Sequence, residues 1–250
     1  MTKSISEYEE TFRVELFDIN QKGEATILTI ADFLQQTGMN HAFRLFESSA
    51  LSMDKETAFV LTRLKISMER YPKWRENIFI HTWLSPIEGK YIIRNFEIFD
   101  GNKNLIGAAI NSATPFNLKE RRAVSLEERG YHIAVSSKRP PIEHNFEKIF
   151  TEENYQWEKT IDVGFYDCDL YGHVNNVKYI GWALDVLPDK FNRSVFLKEV
   201  DINFKSEVNY HHRVHVKAGQ YSGGNNQFFH EITRDDTGKT VIVMKSQWSG

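Results

Sequence analysis

The spacing of apolar residues along the chain predicts one amphipathic helix in each half. In the first half, the segment TIADFLQQTGMNHAFRLFE (29–47) carries its apolar residues at spacings of three and four. In the second half, NNVKYIGWALDVL (175–187) does the same, and Pro188 ends the pattern. The predicted buried face of this second helix consists of Val177, Ile180, Ala183, Leu184 and Leu187.

The segments that follow each helix alternate between apolar and polar residues and predict strands. From Val200 to Tyr210, apolar residues occupy nearly every second position, as in a strand with one buried face. Later strands follow turn signals, FDGNKN in the first half and DDTGK in the second. The element order in each half is therefore strand, turn, helix and several strands, which predicts an α+β fold.

The two halves also match each other at fixed offsets. Residues 65–81 align with 201–217 at an offset of 136, and residues 14–24 align with 163–173 at an offset of 149. The change of offset gives the first half 13 additional residues, some of which SSALSMDKE (48–56) would hold as a loop. We interpret the pattern as a duplication, with domains at residues 1–135 and 157–250 and a linker at 136–156.

Composition and charge narrow the classes of function. The 250 residues are 41% hydrophobic and 13% aromatic, which is enough for a substantial core. A net charge of −3 gives no support for nucleic acid as a partner.

Cys168 is the single cysteine, which suits a reducing compartment. The N-terminal residues are polar, and no apolar run approaches the roughly 20 residues of a membrane span. We expect a cytoplasmic protein without membrane insertion.

The stretch DCDLYGHVNN (167–176), directly before the second helix, concentrates the candidate chemistry. The first backbone N–H groups of a helix are unpaired and attract developing negative charge. Gly172 allows a tight turn or a close approach of ligand to backbone. The alternatives remain open: Asp169 is equally suited to holding a turn, and Asn175 to capping the helix.

Two long stretches of the sequence resemble the signature segments of acyl-ACP thioesterases. They are RLKISMERYPKWRENIFIHTWL (63–84) and DCDLYGHVNNVKYIGWALDVLP (167–188), and the resemblance covers essentially the whole chain. It implies a tandem hotdog fold, in which each half is a long helix wrapped by a curved antiparallel sheet. Plant members carry a transit peptide, and this chain begins without one, so we expect a bacterial member.

The resemblance also implies site residues. The family motif Asp-x-Asn-x-His falls on Asp169 and His173, with Tyr171 at the Asn position. A family glutamate falls on Glu207. Glu207 or Asp169 would then be the general base, or less readily the nucleophile, while His173 orients water and protonates the thiolate. Tyr171, Gly172 and Asn175 would contribute positioning or oxyanion contacts.

The pattern of the sequence raises a separate question about Glu207. By alternation it lies on the polar face of a strand, where a solvated residue is the simpler interpretation. A β-bulge near Val208 would re-aim its side chain. Val208 itself stands where plant enzymes have a cysteine, so no thiol nucleophile acts there.

Further expectations concern ligands and partners. The acyl chain would lie mainly in the first hotdog, with candidate walls Phe33, Leu34, Met39, Phe43, Ile66, Met68, Ile80 and Trp83. The partner is an acidic acyl carrier protein, and candidate basic docking residues are Lys65, Arg70, Lys73, Arg75, Arg121, Arg122, Lys138 and Arg139.

No cofactor or metal is expected, because His211 and His215 in HHRVH would lie about 13 Å apart on a strand. Both a monomer and a homodimer are compatible with a tandem repeat. The alternatives to an acyl-ACP hydrolase are an acyl-CoA thioesterase and a non-catalytic acyl-binding or sensing protein. A hotdog dehydratase is disfavoured by the match to both signature segments.

Overall fold

A computed structural model describes residues 6–48, 56–86, 89–128, 133–143, 146–224 and 226–249. The chain forms two compact units, Met1–Asn145 and Phe146–Gly250. The boundary between them falls within the stretch predicted as a linker. No helix in the described ranges combines the length and apolar character needed to cross a bilayer.

The first unit packs one long helix against an antiparallel sheet. Its described elements are β1 (Glu7–Arg13), α1 (Ile27–Ser48), β2 (Thr57–Met68), β3 (Asn77–Leu84), β4 (Ile92–Asp100), β5 (Leu105–Asn117) and β6 (Arg122–Ala123). The strands are arranged in the order β1-β3-β4-β5-β2, and β6 pairs with β5. Ile30 and Leu34 of α1 are buried with Ile66, Ile80 and Phe96 of the sheet. Each such side chain contributes about 1.5–3 kcal/mol by leaving water.

The second unit repeats the arrangement with a shorter helix. Its described elements are β7 (Trp157–Asp162), α2 (Asn176–Asp185), α3 (Asp189–Ser194), β8 (Phe196–Phe204), β9 (Arg213–Gln220), β10 (Gln227–Arg234) and β11 (Thr240–Ser249). The strand order is β8-β11-β10-β9-β7. Aromatic rings fill part of the interior: the Phe191 ring lies 4.8 Å from that of Phe228 and 6.0 Å from that of Trp248.

The structure reproduces the offsets of the predicted duplication. A short 3-10 helix precedes the main helix in both units, at Leu16–Asp18 and Phe165–Asp167. Helices α1 and α2 begin 149 residues apart, and β3 and β9 correspond at an offset of 136 over their full length. α1 has 22 residues and α2 has 10, so part of the additional length of the first half lies in its helix. Most of the predicted SSALSMDKE loop lies outside the described residues.

The prediction of a continuous strand from Val200 to Tyr210 is wrong. β8 ends at Phe204, because the next two backbone N–H groups, of Lys205 and Ser206, both donate to Val241 O (2.8 and 3.2 Å). Two consecutive amides on one carbonyl break the alternation of the ladder. Glu207 therefore lies on an irregular segment after β8, not on the polar face of a strand.

Candidate active site

Asp169 organises the turn that leads into α2. Its Oδ1 accepts hydrogen bonds from the backbone N–H groups of Tyr171 (2.8 Å) and His173 (3.2 Å). Gly172 has φ +80°, a left-handed conformation that favours glycine, and a Cβ there would meet nothing within 4 Å. Glycine is therefore needed for backbone conformation and not for space.

The corresponding turn of the first unit is built in the same way. Asn20 Oδ1 accepts from the N–H groups of Lys22 (2.8 Å) and Glu24 (3.3 Å), and Gly23 has φ +73°. The turn thus requires an acceptor oxygen at this position, which an amide supplies as well as a carboxylate. The turn therefore does not require the negative charge of Asp169.

Two other polar residues of the stretch have structural roles. Asn175 Oδ1 accepts from Val177 N–H (3.0 Å) and caps α2. Asp167 accepts from Gly164 N–H (2.9 Å) and lies 3.3 Å from Lys178 Nζ. The helix-capping alternative for Asn175 is thus what the structure shows.

His173 and Glu207 are brought together across the turn. His173 Nε2 lies 3.4 Å from Glu207 Oε2, and the two side chains are 35% and 59% exposed. Val174 N–H donates to Val208 O (2.8 Å), which ties the start of α2 to the irregular segment after β8. The break at the end of β8 is what allows Glu207 to reach His173.

This pair is present in only one of the two units. At the offsets of the repeat, His173 corresponds to Glu24 and Glu207 corresponds to Tyr71. Burial raises the pKa of the Tyr71 hydroxyl, and the charge of Glu24 raises it further. The fold forms the same turn without a histidine–carboxylate pair.

The remaining predicted site residue, Tyr171, has an exposed side chain with no described contact to this pair. It is 63% exposed, and its hydroxyl has no polar partner in the described part of the chain. A different tyrosine, Tyr179 of α2, lies buried beneath the turn. Sequence reasoning overlooked Tyr179, although it stands four residues before Ala183 and so shares the predicted buried face.

The predicted acyl-chain walls divide into two groups. Leu34, Ile66, Met68, Ile80 and Trp83 are buried, and Phe33 is half-buried, stacked on Phe12 at 4.3 Å. Met39 and Phe43 are exposed on α1, and their place as walls of the acyl slot stays a prediction.

Several of the predicted docking residues pair with acids of their own unit. Arg70 contacts Glu76 and Asp100 (2.5 and 2.8 Å). Lys138 contacts Glu97 (2.7 Å). Arg122 likewise pairs with Glu120, and Arg139 pairs with Glu143. Their positive charges are partly compensated, which reduces their value for attracting an acidic partner.

Within the described ranges, no group of three or more His, Cys, Asp or Glu residues is arranged to hold a metal ion. His211 precedes β9 with φ +69° and is not a strand residue, so the predicted strand spacing to His215 does not apply.

Comparison with known proteins identifies the family. The model of the acyl-ACP thioesterase N-terminal domain matches residues 6–132, and that of the C-terminal domain matches residues 151–250. The chain belongs to the acyl-ACP thioesterase family. It is 28% identical over 229 residues to an oleoyl-acyl carrier protein thioesterase, chloroplastic, of Coriandrum sativum, which covers 83% of this chain and 61% of that one. The chain spans about three fifths of the length of the curated relatives it matches.

Solved structures confirm the predicted α+β tandem hotdog fold. An acyl-ACP thioesterase from Bacteroides thetaiotaomicron superposes with a TM-score of 0.88 at 22% identity, covering 100% of both chains. A 12:0-ACP thioesterase from Umbellularia californica superposes with a TM-score of 0.82 at 19% identity, covering 97% of both chains.

Proposed function

We propose that this protein hydrolyses the thioester between a fatty acyl group and an acyl carrier protein and releases the free fatty acid. The observation that carries the proposal is the contact of His173 Nε2 with Glu207 Oε2, 3.4 Å apart at the start of α2. The first unit makes the same turn without this pair, so the pair is not a requirement of the fold. The curated relative named above, an oleoyl-acyl carrier protein thioesterase, supports the same reaction.

In the proposed mechanism, Glu207 takes a proton from a water molecule as the water oxygen attacks the acyl carbon. The carbon–sulfur bond then breaks, and His173 protonates the departing thiolate. The proton on Glu207 returns through His173, whose Nε2 it already faces. An imidazole can both accept and donate a proton through its ring nitrogens, which suits this relay.

Asp169 has a different part in this proposal. Its Oδ1 already accepts hydrogen bonds from the backbone N–H groups of Tyr171 and His173 and so holds this turn in place. We assign it to positioning His173 and to adding negative charge beside the pair. Glu207, which no backbone group restrains, is the favoured general base.

A panel of acyl carrier proteins loaded with chains of different length tests the proposal. We expect release of free thiol and free fatty acid in equal amounts, with faster turnover than on the matching acyl-CoA. Faster turnover on acyl-CoA would make the protein an acyl-CoA thioesterase. Binding of acyl carrier without release of thiol would make it a sensor and would overturn the proposal.

Three further points belong to the proposal as predictions. The carrier protein is the macromolecular partner, and activity on it should fall with rising salt more than activity on a small thioester. The location is cytoplasmic, in agreement with the single cysteine, Cys168. The assembly is a monomer or a homodimer, which sedimentation would distinguish.

A further inference from the structure

The hydroxyl proton of Tyr179 is buried without an acceptor. The residue is 3% exposed, and its Oη has no partner in hydrogen-bond geometry among the described residues. A buried hydroxyl whose proton lacks an acceptor is destabilising. Such groups are uncommon, and one beside a candidate active site requires a reason.

The surroundings of this hydroxyl are the titratable groups of the turn. Burial raises the pKa of Tyr179, the backbone N–H of Val208 lowers it by approaching the phenol oxygen as a donor, and the charges of Glu207, Cys168 and Asp169 raise it further. The amide beside the hydroxyl therefore belongs to the residue that follows Glu207. The Glu207 side chain is more than half exposed, and it contacts His173 Nε2 at 3.4 Å.

The ring of Tyr179 is held firmly while its hydroxyl is not. The ring packs edge-on against Trp182, with centroids 5.6 Å apart, and lies 6.3 Å from the ring of Phe204. These contacts hold the ring in place, and the Val208 backbone beside the hydroxyl puts the Oη atom next to the segment after β8. A rigid donor without an acceptor is suited to receiving an acceptor that arrives later.

The repeat shows that the fold does not need this hydroxyl. At the offset of 149, Tyr179 corresponds to Ile30 of α1, which is completely buried. The first unit thus fills the same helical position with an aliphatic side chain. The phenol occurs only in the unit that has the His173–Glu207 pair.

We propose that Tyr179 is a positioning residue for the general base: its hydroxyl donates a hydrogen bond to one oxygen of Glu207, while the other oxygen faces His173 Nε2. Binding of the thioester excludes water from the turn and drives the Glu207 carboxylate inward. The carboxylate is then held in one orientation toward the attacking water. This inference rests on the proposed function.

The variant Tyr179→Phe tests the inference, because it removes the hydroxyl and keeps the ring. We expect kcat on acyl carrier protein to fall about tenfold with KM changed less than twofold, since the contact forms on the way to the transition state. A hydrogen bond to a carboxylate lowers its pKa, so the acid limb of the kcat profile, which reports the enzyme–substrate complex, should move to higher pH in the variant. The melting temperature should stay the same or rise.

Two comparisons separate positioning from a general effect of losing a hydroxyl. Tyr155→Phe removes a hydroxyl that bonds Glu231 (2.5 Å) elsewhere in the same unit, and should leave kcat and the acid limb unchanged. In a Glu207→Gln background, Tyr179→Phe should have less than a twofold further effect.

The outcomes are distinguishable. An active wild-type protein whose Tyr179→Phe variant keeps kcat and the acid limb would overturn the inference and leave the proposed function standing. If Tyr179→Phe lowers kcat tenfold both in the wild-type protein and in the Glu207→Gln background, the inference is also overturned. A wild-type protein that releases no thiol would overturn the proposed function itself.

Discussion

His173 Nε2 and Glu207 Oε2 lie 3.4 Å apart, at the meeting of the turn before α2 with the irregular segment after β8. The positions that correspond to them in the first unit hold Glu24 and Tyr71. One fold therefore contains two copies of a turn, and only one copy has a base and an imidazole in contact. The turn of the first unit, which lacks the pair, therefore shows what the turn needs for its structure alone.

Replacement of the general base gives the first prediction. Glu207→Gln keeps the size of the side chain and removes its ability to take a proton, so kcat/KM should fall by about 10²–10⁴. The melting temperature should not change, because the side chain is largely exposed. Glu158→Gln, at an exposed position of β7, is the matched control and should keep full activity. More than a third of wild-type activity in Glu207→Gln would contradict the assignment.

A pair of variants at Asp169 separates its oxygen from its charge. Asp169→Asn copies Asn20 of the first unit and keeps the acceptor for Tyr171 and His173 N–H. It should fold normally and lose less than about tenfold in kcat/KM. Asp169→Ala removes the acceptor, so stability should fall by about 1 kcal/mol and activity much further. Denaturant unfolding and turnover on acyl carrier protein measure both effects; a complete loss of activity in Asp169→Asn would make the carboxylate itself catalytic.

Particular residues show what the sequence could and could not predict. Both helices were predictable, because a buried face imposes its spacing on the sequence. The end of β8 was not predictable, because apolar residues continue to alternate through Val208 and Tyr210 although the backbone leaves the ladder at Lys205. The exposure of Tyr171 was also not predictable, since side-chain direction depends on the geometry of the turn. The burial of Tyr179 was predictable, because it lies four residues before Ala183 on the buried face and aligns with Ile30 in the repeat.

The interior of the second unit predicts a loss of stability in mild acid. His230 is buried, and its Nε2 lies 2.9 Å from Ser246 Oγ. Burial lowers the pKa of His230 from 6.5 to about 3, partly opposed by the backbone of Ala183. Below pH 6.5 the unfolded chain binds a proton that the folded protein excludes, so stability is lost as the pH falls toward 3. The contribution is about 1.4 kcal/mol per pH unit.

Denaturant unfolding at pH 7.5, 6.0 and 5.0 checks this prediction, with His230→Gln as the comparison. The wild-type free energy of unfolding should decrease more steeply with acid than that of the variant, whose residue 230 does not titrate. Parallel curves for the two proteins would show that His230 does not control the acid response.

The coupling between His173 and Glu207 is the most direct test of the account. The kcat/KM on acyl carrier protein is measured for His173→Gln, for Glu207→Gln and for the double variant. Residues that act as one catalytic unit are not additive, so the double variant should be within about threefold of the slower single variant. A double variant whose loss equals the product of the two single losses would show that the two residues act independently, and would contradict the proposed site.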